Sequence, residues 1–204
     1  MRYEIASLTV RLGGTPAVVA GIDAHVKAPK AMGTLLGCFV SEIGELNRVI
    51  LLRGFADDAQ MQAERARIHA SDNPFGAGEA IAAMEFTGYA PYGFSPPVVP
   101  GRFGPVYEIR TYRLKHGCLP RVEEVWGPVI PARTAISPLT VAMHAIEGVP
   151  RFTHIWPFAS LDDRAAKRAQ SVAEGVWPPP GGPALLTGEM SSLIALPTAI
   201  SPLT

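Results

Sequence analysis

Two short stretches in the second half of the sequence gather the residue types that anion and acid–base chemistry need. They are "YEIRTY" at 107–112 and "RFTHIWPF" at 151–158. Read as strands, a period of two puts Glu108, Arg110 and Tyr112 on one face of the first, and His154, Trp156 and Phe158 on one face of the second. Arg110 can clamp a carboxylate, phenolate or enolate through its planar fork of N–H groups. His154 exchanges protons near neutral pH, and Tyr112 can donate to an oxyanion as it develops. His154, Arg110 and Tyr112 are therefore the candidate catalytic set. Glu108, Trp156, Phe158 and Arg53 form the candidate binding set around it. Arg53 stands in the first half where the second half has Trp156.

Other chemistries find little in the chain. His25, His69, His116 and His144 lack the His-x-x-x-His type of spacing that a metal needs, so no metal is expected. "RLGGTP" at 11–16 precedes a helix signal but carries no Lys-Ser/Thr for a phosphate loop, and no Gly-x-Ser-x-Gly elbow occurs. The formal net charge is zero and no Lys/Arg cluster stands out, so neither nucleic acid nor an anionic membrane is an expected partner. No apolar run reaches the length of a membrane span. Cys38 and Cys118 occupy non-matching positions and read as buried free thiols in a reducing compartment. The expectation is a cytoplasmic protein without a cofactor, whose partner is a small molecule.

The elements that must position the candidate residues come in two sets. "YEIASLTVRLGGTP" at 3–16 matches "YEIRTYRLKHGCLP" at 107–120 in Tyr, Glu, Ile, Gly and Pro at one constant offset. "RVILLRGFADDAQMQAERA" at 48–66 matches "RFTHIWPFASLDDRAAKRA" at 151–169 at an offset one residue shorter. Two in-order matches imply a duplication of about a hundred residues, far longer than a solenoid repeat. The first repeat reads as a strand over 3–10, a helix opened by Thr15-Pro16 and stopped by Pro29, and strands over 34–44 and 46–55 turning at Gly44. A helix from Asp57-Asp58 to about Ala70 and a last strand over 80–91 complete it.

The second repeat follows the same order. Gly127-Pro128 and Pro131 kink or end its first helix, and Ser160 with Asp163 marks the start of its second. Residues 1–92 and 106–204 are thus two units joined by the Pro/Gly-rich linker 93–105. "WPPPGGP" at 177–183 reads as a long surface loop stiffened by proline rather than a lid. A βαββαβ unit is a ferredoxin-like α+β arrangement whose sheet carries helices on one face only. Two such units can cover each other's bare faces and close into an eight-stranded barrel with helices outside.

Three motifs carry a family resemblance. "YEIRTY" at 107–112, "VSEIGELNRV" at 40–49 and "THIWPFASLDDR" at 153–164 resemble the NIPSNAP family, as two tandem domains over nearly the whole chain. The resemblance implies the dimeric α/β-barrel superfamily, which includes cofactor-free monooxygenases, isomerases, lyases, haem-binding enzymes and proteins with no known reaction. Homo-oligomers are a possibility it leaves open. Haem ligation by His154 has no other support in the sequence. The repeats have kept different parts of the pattern: the first keeps "SEIGELN" but has Ala6, Leu8, Leu51 and Arg53 where the second has Arg110, Tyr112, His154 and Trp156. This implies one site, not two.

With the helices on the Ile109 and Ile155 side, Glu108, Arg110, Tyr112, His154 and Trp156 would line the lumen as a ligand site. With the faces reversed, the same set would lie under the helices. The functional expectation is a cofactor-independent enzyme acting by proton transfer, lyase or isomerase chemistry, or oxygen addition, on an aromatic or polyketide-like acid. The alternative is a non-catalytic binding or scaffolding protein. In that case Glu108 and Arg110 simply pair, His154 is a core histidine, and Tyr112 and Trp156 are packing. A roomy lumen with Arg110 unpaired favours the enzyme; a filled lumen with Glu108 and Arg110 paired favours the alternative.

Overall fold

The computed structural model describes residues 1–204. In chain order the first repeat is β1 (Arg2–Val10), α1 (Thr15–Lys27), β2 (Thr34–Ile43), β3 (Arg48–Phe55), α2 (Asp58–His69) and β4 (Ile81–Pro91). The second is β5 (Val106–Leu114), α3 (Leu119–Trp126), α4 (Ile130–Ile136), β6 (Val141–Ala145), β7 (Arg151–Phe158), α5 (Leu161–Ala173) and β8 (Leu186–Pro197).

Local chemistry sets most of these boundaries. Asp57 Oδ1 accepts from Gln60 N at 2.9 Å and starts α2. Ser160 Oγ accepts from Asp163 N at 3.0 Å and starts α5, while Asp163 Oδ2 accepts from Ala159 N at 3.0 Å, a reciprocal cap. The cap of α1 falls on Gly14 rather than Thr15, which is already helical and makes no capping bond. Prolines split the first helix of the second repeat. Pro128 and Pro131 cannot donate backbone N–H bonds, and the 3-10 turn Gly127–Val129 separates α3 from α4. That break sets the direction of α4, which carries Arg133.

The strands close into one barrel in the order β1, β3, β2, β8, β5, β7, β6, β4 and back to β1. Every neighbouring pair is antiparallel. Within each repeat the order is the ferredoxin-like one. The repeats join at two seams, β2 with β8 (Phe39 opposite Pro197) and β4 with β6 (Tyr89 opposite Ala145). Residues 92–105 carry no helix or strand and are tied to the C-terminal residues by a single β-bridge, Gly101 with Leu203. There Gly104, at φ +145°, passes so close to β7 that a Cβ would meet the Phe158 carbonyl oxygen at 2.3 Å, so only glycine fits.

Three apolar clusters divide the interior. The lumen is filled by side chains from both repeats, among them Phe39, Ile50, Tyr107, Ile109, Met143 and Ile155. A second cluster packs Ala6, Leu8 and Leu51 under Val18 and Ile22 of α1 and Ile68 of α2. The third packs Tyr112, Phe152, Trp156 and Phe158 under Val122 and Trp126 of α3 and Ile130 of α4. The expected facing is therefore reversed. Ile109 and Ile155 point into the lumen, and Tyr112, Trp156 and their same-face neighbours point outward under the helices. The physical reason is burial of charge: the lumen is lined by apolar groups and the neutral hydroxyls of Thr111, Thr153 and Tyr89, whereas α5 brings arginines to the outer face to meet Glu108. No helix is long and apolar enough to cross a membrane.

Candidate functional site

Strand pairing assembles the second-repeat set. In the β5–β7 register Glu108 stands opposite Trp156, Arg110 opposite His154, and Tyr112 opposite Phe152. On the other side of β5, Ser192 of β8 stands opposite Arg110. Glu108 is 1% exposed and receives hydrogen bonds on Oε1 from Arg110 Nη1 at 2.6 Å, Arg164 Nη2 at 2.5 Å and Ser192 Oγ at 2.6 Å. Arg168 Nη1 lies 3.8 Å from Oε2. Burial alone would push the Glu108 carboxyl up. The bonds from Arg164, Ser192 and Arg110 outweigh it and hold the group down at about 2. Arg110 Nε donates to Tyr112 Oη at 2.6 Å, and burial raises the Tyr112 hydroxyl above its ordinary value despite Arg110 beside it.

His154 is buried and its state can be read from its partner. Trp156 Nε1 donates to His154 Nδ1 at 2.5 Å. An indole N–H only donates, so Nδ1 holds a lone pair and the proton of the neutral ring sits on Nε2. Burial, reinforced by Arg110, drives the His154 pKa well below its ordinary value, so the ring is neutral. Its free nitrogen is thus a donor, and the ring is no base as it stands.

Positive charge accumulates around this one carboxylate. Arg133 reaches in from α4, its guanidinium 4.5 Å from the Trp156 ring and 5.7 Å from that of Trp177. It is 3% exposed and has no salt-bridge partner. Burial and then repulsion from Arg168 lower its pKa to about 10. Arg168 is lowered too, by burial and by Arg110. Three arginines, Arg110, Arg164 and Arg168, share Glu108, and Arg133 stands beside them without a carboxylate of its own. Five buried nitrogens of the cluster find no acceptor: Trp126 Nε1, Arg133 Nε and Nη1, His154 Nε2 and Arg164 Nε. Each is a donor.

Arg53, expected with this set, lies elsewhere. It sits under the first repeat's helices, where Nε donates to Glu4 Oε1 at 2.9 Å and a second bond runs from Nη2 to the same oxygen. Glu4 Oε2 accepts from Arg65 Nε at 2.5 Å, and Arg65 Nη2 lies 2.9 Å from Glu147 Oε1. Phe158 is buried in the apolar cluster with Trp156.

The sequence reading missed Arg133, Arg164, Arg168 and Trp177. Arg164 and Arg168 carried a signal, because four residues apart on α5 they share a helix face directly after the strand that holds His154. Arg133 carried none, since a proline-broken segment has no period to read. The 177–183 segment is more than a surface loop: Trp177 packs edge-on against Trp126 with ring centroids 4.4 Å apart. The principal cavities lie away from the cluster. One of about 180 Å³ sits at the end of the barrel, lined by Pro96, Val99, Phe103, Leu139 and Leu203.

With this geometry described, comparison with known proteins places the chain. The NIPSNAP family model matches residues 3–96 and again 107–202, and the chain belongs to the NIPSNAP family as a tandem pair. No curated protein matches. Among solved structures, an anthrone oxidase-like protein is similar at a TM-score of 0.69 and 11% identity, with 98% of this chain and 93% of that one covered. A protein from Lactobacillus acidophilus assigned as a monooxygenase is similar at 0.68 and 11%, covering 96% and 93%. At these identities the likeness shows the fold. A NIPSNAP family protein with unknown function from Agrobacterium tumefaciens is 33% identical, with 50% of this chain and 96% of that one covered, at a TM-score of 0.42.

Proposed function

We propose that this protein binds a small aromatic acid as its anion, between the sheet and the helices of the second repeat. The observation that carries this reading is the set of five buried donors without an acceptor, gathered where three arginines share one carboxylate and a fourth, Arg133, has none. An unpaired buried donor costs about 1–3 kcal/mol and a charged one more. A ligand carboxylate or phenolate supplies the missing acceptors. Arg133 would be its main anchor, with Arg168 and the Nε2–H of His154 beside it, and the rings of Trp126, Trp156 and Tyr112 would take its aromatic body.

The chemistry such a site offers is stabilisation of an anion. A substrate that ionises to an enolate or phenolate would be held in that form. This is what cofactor-independent proton transfer, or addition of oxygen to the ionised carbon skeleton, requires. Arg110 and Tyr112 would then hold the developing oxyanion.

A reading in which the chain binds without transforming is favoured by one observation: no base faces the cluster. His154 presents a proton at its free nitrogen, and Glu108 is held at about 2 by its hydrogen bonds. The filled lumen and the Glu108–Arg110 pair point the same way. We therefore rank binding ahead of catalysis. A reducing, cytoplasmic setting fits the two free thiols, both buried. The barrel closes within one chain and needs no second copy to complete it.

The test is a thermal-shift panel of aromatic carboxylates with their methyl esters as uncharged controls, run on wild type, Arg133→Met and Arg53→Met. Stabilisation by the acids but not the esters, lost in Arg133→Met and kept in Arg53→Met, supports the site. Stabilisation that survives Arg133→Met, or none from any acid, overturns it.

A further inference from the structure

The anion site is packed shut by the chain itself. After α5 ends, the backbone N–H groups of Val176 and Trp177 both donate to the Ser171 carbonyl at 3.0 Å, pinning the start of the following segment. Its far end is pinned by Lys115, whose backbone N–H donates to Leu185 O at 2.9 Å and whose Nζ donates to Ala184 O at 2.8 Å. Between these points the backbone hydrogen bonds of residues 178–183 are local: Gly182 N to Pro179 O at 2.9 Å, Ala184 N to Gly181 O at 3.2 Å, and Leu186 N to Pro183 O at the end of a 3-10 turn over Gly182–Leu185. Half-buried Trp177 and buried Pro179 and Gly182 hold the segment down, and Trp177 alone reaches the aromatic cluster with a ring. Its ring lies 4.4 Å from Trp126, 6.2 Å from Trp156 and 6.3 Å from His154, centroid to centroid. Gly182 packs beside the Trp126 indole, where a Cβ would make ordinary contact with its nitrogen at 3.4 Å.

We propose that the Trp177 indole occupies the ligand's own aromatic subsite, and that ligands enter by displacing it. The proposal rests on the anion-site reading and narrows its ligand to a planar two-ring aromatic carboxylate. The indole supplies a flat, bicyclic apolar body among Trp126, Trp156 and Arg133, which is the half of a ligand that this wall recognises. It supplies no negative charge, so Arg133 Nε and Nη1 stay without an acceptor while Trp177 is in place. A molecule carrying both ring and carboxylate satisfies the same wall and the cation together, and so outcompetes a side chain that satisfies only the wall. Displacing 177–183 breaks few hydrogen bonds to the rest of the protein, so the cost of opening is chiefly that of removing one indole.

Titration of 2-naphthoate by calorimetry into wild type, Trp177→Ala and Trp177→Phe tests this. Because only the open fraction of wild type is competent to bind, removing the plug should tighten the apparent affinity, by about tenfold in Trp177→Ala and by less in Trp177→Phe. In wild type labelled with ¹⁵N, saturating naphthoate should move the indole N–H resonance of Trp177, identified by its loss in Trp177→Phe, to a solvent-exposed position. Equal or weaker binding by both variants, or a Trp177 resonance that does not move at saturation, overturns the plug and leaves the anion site standing. No binding by wild type or by either variant overturns both.

Discussion

The two repeats solve the same burial problem in opposite ways. Glu4 and Glu108 occupy matching places on β1 and β5, each buried under its own helices. Around Glu4 the charges close. Arg53 and Arg65 bond its two oxygens, Arg65 goes on to Glu147, and Glu64 takes Arg67 and His25 at 2.7 and 2.8 Å. Leu51, Leu8 and Ala6 fill the remaining face with hydrocarbon. Around Glu108 the charges stay open: His154, Tyr112 and Arg110 replace those three apolar residues, Arg168 reaches the already shared carboxylate only at 3.8 Å, and Arg133 adds a cation that no carboxylate answers. In the first network one donor, Arg65 Nη2, lacks a hydrogen bond yet lies 2.9 Å from Glu147 Oε1, so every cation has its carboxylate; in the second, five donors have no acceptor.

Several measurements would sharpen or break that contrast. The largest effect is expected in the closed network. Glu4→Gln leaves Arg53 and Arg65 buried without their carboxylate and should cost about 3–5 kcal/mol in urea unfolding. A loss below about 1 kcal/mol would mean the first network is no more closed than the second.

The next effect is a pH dependence confined to the second repeat. The His154 pKa is depressed by burial, so the unfolded chain binds the extra proton first as pH falls. Stability is complete above the ordinary histidine value of about 6.5 and declines below it, by at most about 1.4 kcal/mol per pH unit. His154→Leu, which copies Leu51, should flatten the profile between about pH 6.5 and 5. An unchanged slope would contradict the neutral assignment. The decline at still lower pH, as Glu108 and Glu64 are protonated between their ordinary range and about 2, should persist in that variant.

The two helix caps serve as a control, because here the repeats agree. Asp57→Ala and Ser160→Ala each remove one side-chain cap and should each cost about 1 kcal/mol. The smallest effect has the opposite sign. Arg133→Met removes a buried cation with no carboxylate partner, and trades two cation–π contacts for apolar packing against the same rings. The ligand-free variant should be as stable as wild type or more stable by up to about 1 kcal/mol. A clear loss would mean Arg133 already has what it needs.

The sequence made the duplication and nearly every strand legible, because "YEIASLTV" and "YEIRTYRL" alternate and their Tyr, Glu and Ile coincide. It also made the membership of the polar face legible, since period two alone puts Glu108, Arg110 and Tyr112 together. Which way that face points was not legible. In a barrel wrapped by helices both faces of a strand are buried, so Ile109 and Arg110 compete for the interior with no solvent-exposed side to break the tie. The deciding partners sit on other elements: Arg164 and Arg168 on α5, which draw Glu108 outward, and the lumen residues Phe39 and Met143, which offer a charge no partner. Arg133 and Trp177 follow prolines and glycines, where no period announces a direction.

Whether the second repeat alone holds an organic anion between its sheet and its helices is decided by a crystal structure of the protein with 6-bromo-2-naphthoate, the bromine located by its anomalous signal. One site per chain is expected, with the carboxylate against Arg133 and the ring among Trp126 and Trp156. Bromine in the apolar cavity beside Phe103 and Leu139, in the lumen, or beside Arg53 in the first repeat would contradict it.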